Sequence, residues 1–198
     1  MRVLDCGAAE GTPRVSQGCR TREARRFRGP AHHQGDKHPA MHISDLITPR
    51  QIDPDARAGG KKRALEMLSE LLAAQDDRLG RGQVFDSIIN RERLGSTAIG
   101  AGVAIPHGRI EGLERSLGAF IRLQEPVDFD ATDGGPVDML FALVVPSQCA
   151  EEHLAALAEL ARKFSDPALC QALRAAENGE QIHELLIRHD PDHDRESA

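Results

Sequence analysis

The sequence predicts an α/β domain over residues 41–190. Its core is a central, mostly parallel but mixed sheet of about five strands, flanked by helices on both faces. Three observations predict it. Residues 137–146, VDMLFALVVP, are nearly all apolar and stop at Pro146, the pattern of a central strand buried on both faces. In residues 116–123, Leu117, Ala119, Ile121 and Leu123 alternate onto one side, the period of a strand. Between and around such runs lie stretches whose apolar residues recur at helical spacing.

The elements follow in order. Residues 1–40 hold eight Arg/Lys against four Asp/Glu, contain no Ile and show no period. Such a segment cannot offset its ordering entropy by burial, so it reads as a disordered basic extension. "TREARRFRG" could be a patch for nucleic acid or membrane; a solvated tail is the preferred reading. The texture changes at Met41. Residues 61–75 place Leu65, Leu68, Leu71 and Leu72 along one helix face, and residues 82–94 repeat the pattern with Val84, Phe85, Ile88 and Ile89. Residues 101–105, AGVAI, read as a short strand ended by Pro106. After the two longer strands, residues 150–164 form a helix with Leu154, Leu157, Leu160, Ala161 and Phe164 inward. Residues 165–179 carry Asp166 as N-cap, Pro167 at the first helical position and Gly179 past the end. Residues 180–189 close the domain with Ile182, Leu185 and Leu186, and residues 191–198 are a frayed tail.

Bulk properties exclude several functions. No apolar run approaches the ~20 residues of a membrane span, and the N-terminus lacks an apolar signal region, so a cytoplasmic protein without membrane insertion is expected. Cys6, Cys19, Cys149 and Cys170 show neither CxxC nor short Cys/His spacing, which argues against a zinc site or a disulfide framework. Residues 41–198 carry 17 basic and 27 acidic side chains, a balance unsuited to nucleic acid but suited to a basic protein partner.

Function in open α/β sheets collects at the C-terminal ends of strands. His107 follows the strand at 101–105, and His153 falls in the first turn of the helix after the strand at 137–146. If those strands are neighbours, the two imidazoles meet. No nucleotide-binding Gly-rich loop, Gly-x-Ser-x-Gly elbow or metal-spaced acidic cluster is present, so no metal or cofactor is expected. What remains is a nucleophilic histidine. One neutral imidazole nitrogen can attack phosphorus while the other donates to a carbonyl. Phosphoryl transfer needs mainly positioning and neutralisation of oxygens, which arginine and a second histidine can supply. Gly108 is expected to leave room for a partner to approach. His183 and His189 read as solvated surface, and His32, His33 and His38 carry no assignment.

The segment INRERLGSTAIGAGVAIPHGRIEG resembles the active-site signature of the enzyme IIA proteins of the phosphotransferase system, fructose/mannitol superfamily. The likeness is nearest to the nitrogen-regulatory branch. It continues through PVDFDATDGGPVDMLFALVVP and HLAALAELARKF and covers roughly residues 42–188. The resemblance implies that His107 is the phosphoacceptor and His153 the second site histidine. It implies that Arg91 stabilises the phosphoryl group and that Ser96 and Thr97 line the same pocket. Arg93 lies two residues from Arg91 and faces elsewhere on a helix, so only one can enter the pocket. Arg109, counted with the phosphate-binding residues, stands where the family would have lysine, keeping the charge. A histidine phosphocarrier is the implied donor, and regulated proteins such as transporters or kinases are the implied targets. Two alternatives stand beside this reading: a sugar-transport enzyme IIA passing phosphoryl to an enzyme IIB, and a non-catalytic binding module.

Overall fold

The computed structural model describes residues 42–148 and 150–188. The disorder expected for residues 1–40 and the frayed tail at 191–198 lie outside the described residues. So do Cys6, Cys19 and Cys149, and His32, His33, His38 and His189.

A short helix α1 (Ile43–Leu46) and a 3-10 turn (Pro49–Gln51) lead into β1 (Ile52–Ala56). Helices α2 (Lys61–Ala73) and α3 (Arg81–Glu92) follow. Three short strands come next, β2 (Ala98–Gly100), β3 (Val103–Ala104) and β4 (His107–Ile110). The long strands β5 (Leu117–Val127) and β6 (Val137–Pro146) precede α4 (Ala150–Phe164), α5 (Pro167–Ala175) and α6 (Gly179–Arg188).

Among the described residues the strands form one mixed sheet in the order β1-β5-β6-β3-β2, with β4 also on β6. β1 runs parallel to β5, and β3 and β4 run parallel to β6. The longest pairing, β5 with β6, is antiparallel. A short link permits only that, because a parallel neighbour needs a crossover. β1 escaped the sequence reading because IDPDA has no alternation and contains Pro54. It is tolerated because β1 is an edge strand, where a missing N–H leaves no neighbour unpaired.

β6 is buried on both faces, as its composition predicts. Met139, Phe141, Leu143 and Val145 face α1, α4, α5 and α6, packing with Phe120, Phe164 and Ile182. Leu140, Ala142 and Val144 face α2 and α3, packing with Leu65, Leu68, Leu72, Val84 and Ile88. Three expectations need correction. Leu154 is not inward but 64% exposed. α5 ends at Ala175, and Gly179 opens α6 instead of stopping α5. His183 is half-buried, its Nε2 3.1 Å from the Ile47 carbonyl oxygen, not free in solvent. Asp166 does cap α5, its carboxylate accepting from the Ala168 N–H at 2.9 Å.

Arg122 ties the α5 end to the sheet. Its guanidinium donates to the carbonyls of Pro54, Leu173, Arg174 and Ala176, at 2.6 to 3.0 Å. The last carbonyls of a helix have no intrahelical donor, so this side chain satisfies several at once. Arg122→Met should destabilise the fold by about 2–4 kcal/mol, since it strands several half-buried acceptors. Urea unfolding checks this: the midpoint should fall with the slope unchanged. An unmoved midpoint would mean that water replaces the guanidinium without loss.

Candidate functional site

β3 does stop before Pro106, but the chain does not turn away there: a further strand, β4, starts at His107. Val103 and Ala104 pair with Met139 and Leu140, and His107 resumes with Leu143 in the same register. The Leu143 N–H still bonds the Pro106 carbonyl, at 2.9 Å. Pro106 removes one donor and interrupts the ladder, but β6 holds the chain in line across the gap. His107 therefore opens β4 and does not hang on a turn after β3. Strand alternation puts His107 and Arg109 on the same face as Val103 and Ile105, the face that packs on α4. That face carries His153.

Gly108 faces the other way. A Cβ there would collide with Ser87 of α3, whose hydroxyl donates to the Arg109 carbonyl at 2.8 Å. The space expected to admit a partner is thus filled by the chain's own helix. The glycine lets α3 lie against β4, which brings the α3 C-terminal turn, and Arg91 with it, to His107.

The structure places Arg91, His107, His153 and Arg109 around one open cleft of about 660 Å³. The two imidazole centroids are 5.2 Å apart. Arg91 Nε donates to His107 Nε2 at 3.0 Å, and Arg91 Nη1 donates to the Gly95 carbonyl at 3.2 Å. His107 Nδ1 lies 2.8 Å from the Ile105 carbonyl. A guanidinium only donates and a carbonyl only accepts. One form of His107 satisfies both contacts: a neutral ring with its proton on Nδ1 and a lone pair on Nε2. Arg93 is exposed and bonds Asn90 instead.

Electrostatics reinforce that form. Burial pushes the His107 pKa below its ordinary value despite the bond to Ile105, and the Arg91 and Arg109 charges push the same way. His153 is 5% exposed, with Nδ1 buried and lacking a hydrogen-bond partner. Its pKa is pushed down to about 4, by burial first and then by His107, Arg109 and Arg91. Both rings are neutral near pH 7.

The pH dependence of stability follows. Unfolded, both histidines titrate near ~6.5. Below that pH the unfolded chain binds protons that the folded chain refuses, so stability falls as pH drops from about 6.5 toward 4. Urea midpoints at pH 7, 6 and 5 should decline, and His153→Gln should decline less steeply. Equal slopes for both proteins would assign the acid sensitivity to other groups.

Ser96 and Thr97 do not line the cleft. The Ser96 hydroxyl donates to the Phe129 carbonyl at 2.6 Å, and the Thr97 hydroxyl donates to the buried carboxylate of Glu92. Both side chains are engaged around the turn between α3 and β2. Two features of the site lay beyond the sequence reading. Leu94 and Leu154 rim the cleft while 84% and 64% exposed, and a helical pattern cannot separate such a rim from a core face. Glu92, at 4% exposure, gave no signal beyond adjacency to Arg91. Among the described residues no group of His, Cys, Asp and Glu is arranged to hold a metal ion. No helix among them is long and apolar enough to cross a membrane.

Comparison with known proteins gives a consistent picture. The family model "Phosphoenolpyruvate-dependent sugar phosphotransferase system, EIIA 2" matches residues 45–189. The nitrogen regulatory protein of Escherichia coli K12 is 46% identical over 147 residues, 74% of this chain and 90% of that protein. That of Klebsiella oxytoca is 41% identical over 148 residues, 74% of this chain and 91% of that protein. The crystal structure of the nitrogen regulatory protein IIA-Ntr from Neisseria meningitidis superposes with a TM-score of 0.70 at 42% identity. It covers 73% of this chain and 98% of that one.

Proposed function

The chain belongs to the EIIA 2 family of the phosphoenolpyruvate-dependent sugar phosphotransferase system, and from that membership we propose a specific role for it. It accepts a phosphoryl group on His107 Nε2 from a histidine phosphocarrier, in the nitrogen-regulatory branch, and its phosphorylation state selects its protein partners. The observation that carries this is the Nε2 lone pair, held by a proton-bearing Nδ1 and facing Arg91 in an open cleft.

The step balances without an external acid. His107 Nε2 attacks phosphorus in line as Arg91 Nε yields the lone pair. The carrier's N–P bond breaks, and its electrons return to the carrier's imidazole nitrogen. Nδ1 keeps its proton on the Ile105 carbonyl, which steadies the positive charge that develops on the ring. Arg91, already within hydrogen-bond reach of Nε2, then meets the equatorial oxygens. His153 can offer an N–H to the same oxygens, and Arg109 adds positive field. The phosphoryl group brings roughly two negative charges to a cleft rimmed by Leu94 and Leu154. A surface that is apolar and cationic before transfer has its two arginine charges offset after it, which changes the proteins that dock there. Transporters and kinases are the target classes we infer.

The test is incubation with phosphoenolpyruvate, the first enzyme of the system and the carrier. Intact mass should rise by one phosphoryl group that mild acid removes. No uptake would sink the reading in favour of a binding module. Rapid onward transfer to an isolated enzyme IIB domain would identify a transport component instead.

A further inference from the structure

Behind the cleft lies a buried ionic cluster to which the reaction assigns no part. Glu92 closes the last turn of α3, its side chain 2% exposed. Lys61 Nζ of α2 lies 2.7 Å from Glu92 Oε1. The Thr97 N–H lies 3.1 and 3.2 Å from the two carboxylate oxygens, and the Thr97 hydroxyl donates to Oε2. Lys61 also reaches the Phe129 carbonyl at 3.3 Å and Asp130 at 3.1 Å, and sits 4.7 Å above the Phe129 ring. Burial works against the Lys61 charge, but its bonds to Glu92 and Asp130 outweigh that and push its pKa up. Lys61 is thus a cation in place.

The geometry of this cluster bears on Arg91. Residues 93–97 form the turn from α3 to β2, and Glu92 binds that turn at two points. Its own carbonyl accepts from the Gly95 N–H at 3.2 Å, while its carboxylate holds Thr97. Ser96 pins the middle to Phe129. The turn presents the Gly95 carbonyl, and that carbonyl holds Arg91 Nη1 while Nε faces His107. A fully paired buried carboxylate is rigid, because moving it would strand several donors at once.

We propose that Glu92, charge-paired with Lys61 and bonded to Thr97, is a positioning residue for phosphoryl transfer. It fixes the Gly95 carbonyl that aims Arg91 at His107 Nε2. The inference rests on the proposed phosphoacceptor role of His107. It also gives the hydrogen bonds of Ser96 and Thr97 a part in the site.

The experiment uses the full chain and compares wild type with Glu92→Gln, Thr97→Val and Thr97→Ser. Gln offers one acceptor and two donors where Lys61 and Thr97 all donate, so it cannot replace the carboxylate. Val keeps the Thr shape and loses the hydroxyl; Ser keeps the hydroxyl. Single-turnover phosphoryl uptake from the carrier should fall about ten- to a hundredfold in Glu92→Gln, since misaiming a group by an ångström has that effect. It should fall less in Thr97→Val and recover in Thr97→Ser, with the carrier KM unmoved throughout. The 15N shift of His107 Nε2, read without any carrier, should move in Glu92→Gln and Thr97→Val and return in Thr97→Ser. If Glu92→Gln does not fold, the Thr97 pair decides. Folded variants with wild-type uptake rates, or with an unmoved Nε2 shift, overturn the positioning role and leave the phosphoacceptor reading intact. A wild-type chain that takes up no phosphoryl overturns that reading instead.

Discussion

His107→Ala will take up no phosphoryl group under conditions that fully label the wild type. The loss is total, not fractional, because the variant lacks the proposed nucleophile and no other group in the cleft can replace it. His153 is 5% exposed, and its pKa is depressed to about 4, so its ring is neutral but shielded from an incoming carrier. Arg91 and Arg109 present guanidinium groups, which only donate hydrogen bonds and cannot attack. The fold should survive, since the half-buried ring contributes two hydrogen bonds at the edge of a cleft, not a core side chain. Intact mass after incubation with the phosphoryl donor chain, alongside circular dichroism, checks both statements. Persistent acid-labile label on a folded His107→Ala protein would move the acceptor elsewhere.

Arg91→Gln should accept phosphoryl about 10²–10³-fold more slowly than wild type, with little change in the carrier KM. The guanidinium lies at Nε2 in the ground state and meets charge that spreads over the phosphoryl oxygens during transfer, so its loss appears in the rate. Arg91→Lys should recover only part. An ammonium is a single point charge, whereas Arg91 uses Nη1 on the Gly95 carbonyl and Nε toward His107 at the same time. Arg93→Gln is the control; that side chain is exposed and bonds Asn90, so uptake should stay near wild type. Single-turnover kinetics on the three variants decide it. Equal losses in Arg91→Gln and Arg93→Gln would show a general field effect in place of a directed contact.

Which parts of this molecule could be read in advance follows from the range of the forces involved. The helices α2 and α3 and the strands β5 and β6 declare themselves by period, because each needs an apolar face and a face shows within a few residues. β1 does not: five residues with a central proline carry no period, and only the neighbouring β5 makes them a strand. Pro106 is the instructive case. Locally it removes a donor and should stop a strand, yet β6 offers the Leu143 N–H to its carbonyl and the register runs through. His107 is consequently held in a strand paired with β6 and not on a free turn.

The amino-acid sequence alone determined the α/β class, the buried central strand, and the histidines and arginines from which a phosphoryl site could be built. Each of these depends on local pattern or on a motif whose residues lie close along the chain. Only the tertiary structure decided the rest. It brought His153 to 5.2 Å from His107, set Arg91 Nε against His107 Nε2, engaged Ser96 and Thr97 around the turn after α3, and buried Glu92 between Lys61 and Thr97. A hydroxyl or a carboxylate can bond many partners, and the sequence does not say which one packing will put within 3 Å. The order β5-β6-β3, with β4 also on β6, makes that choice by carrying α3 and α4 to the same edge of the sheet.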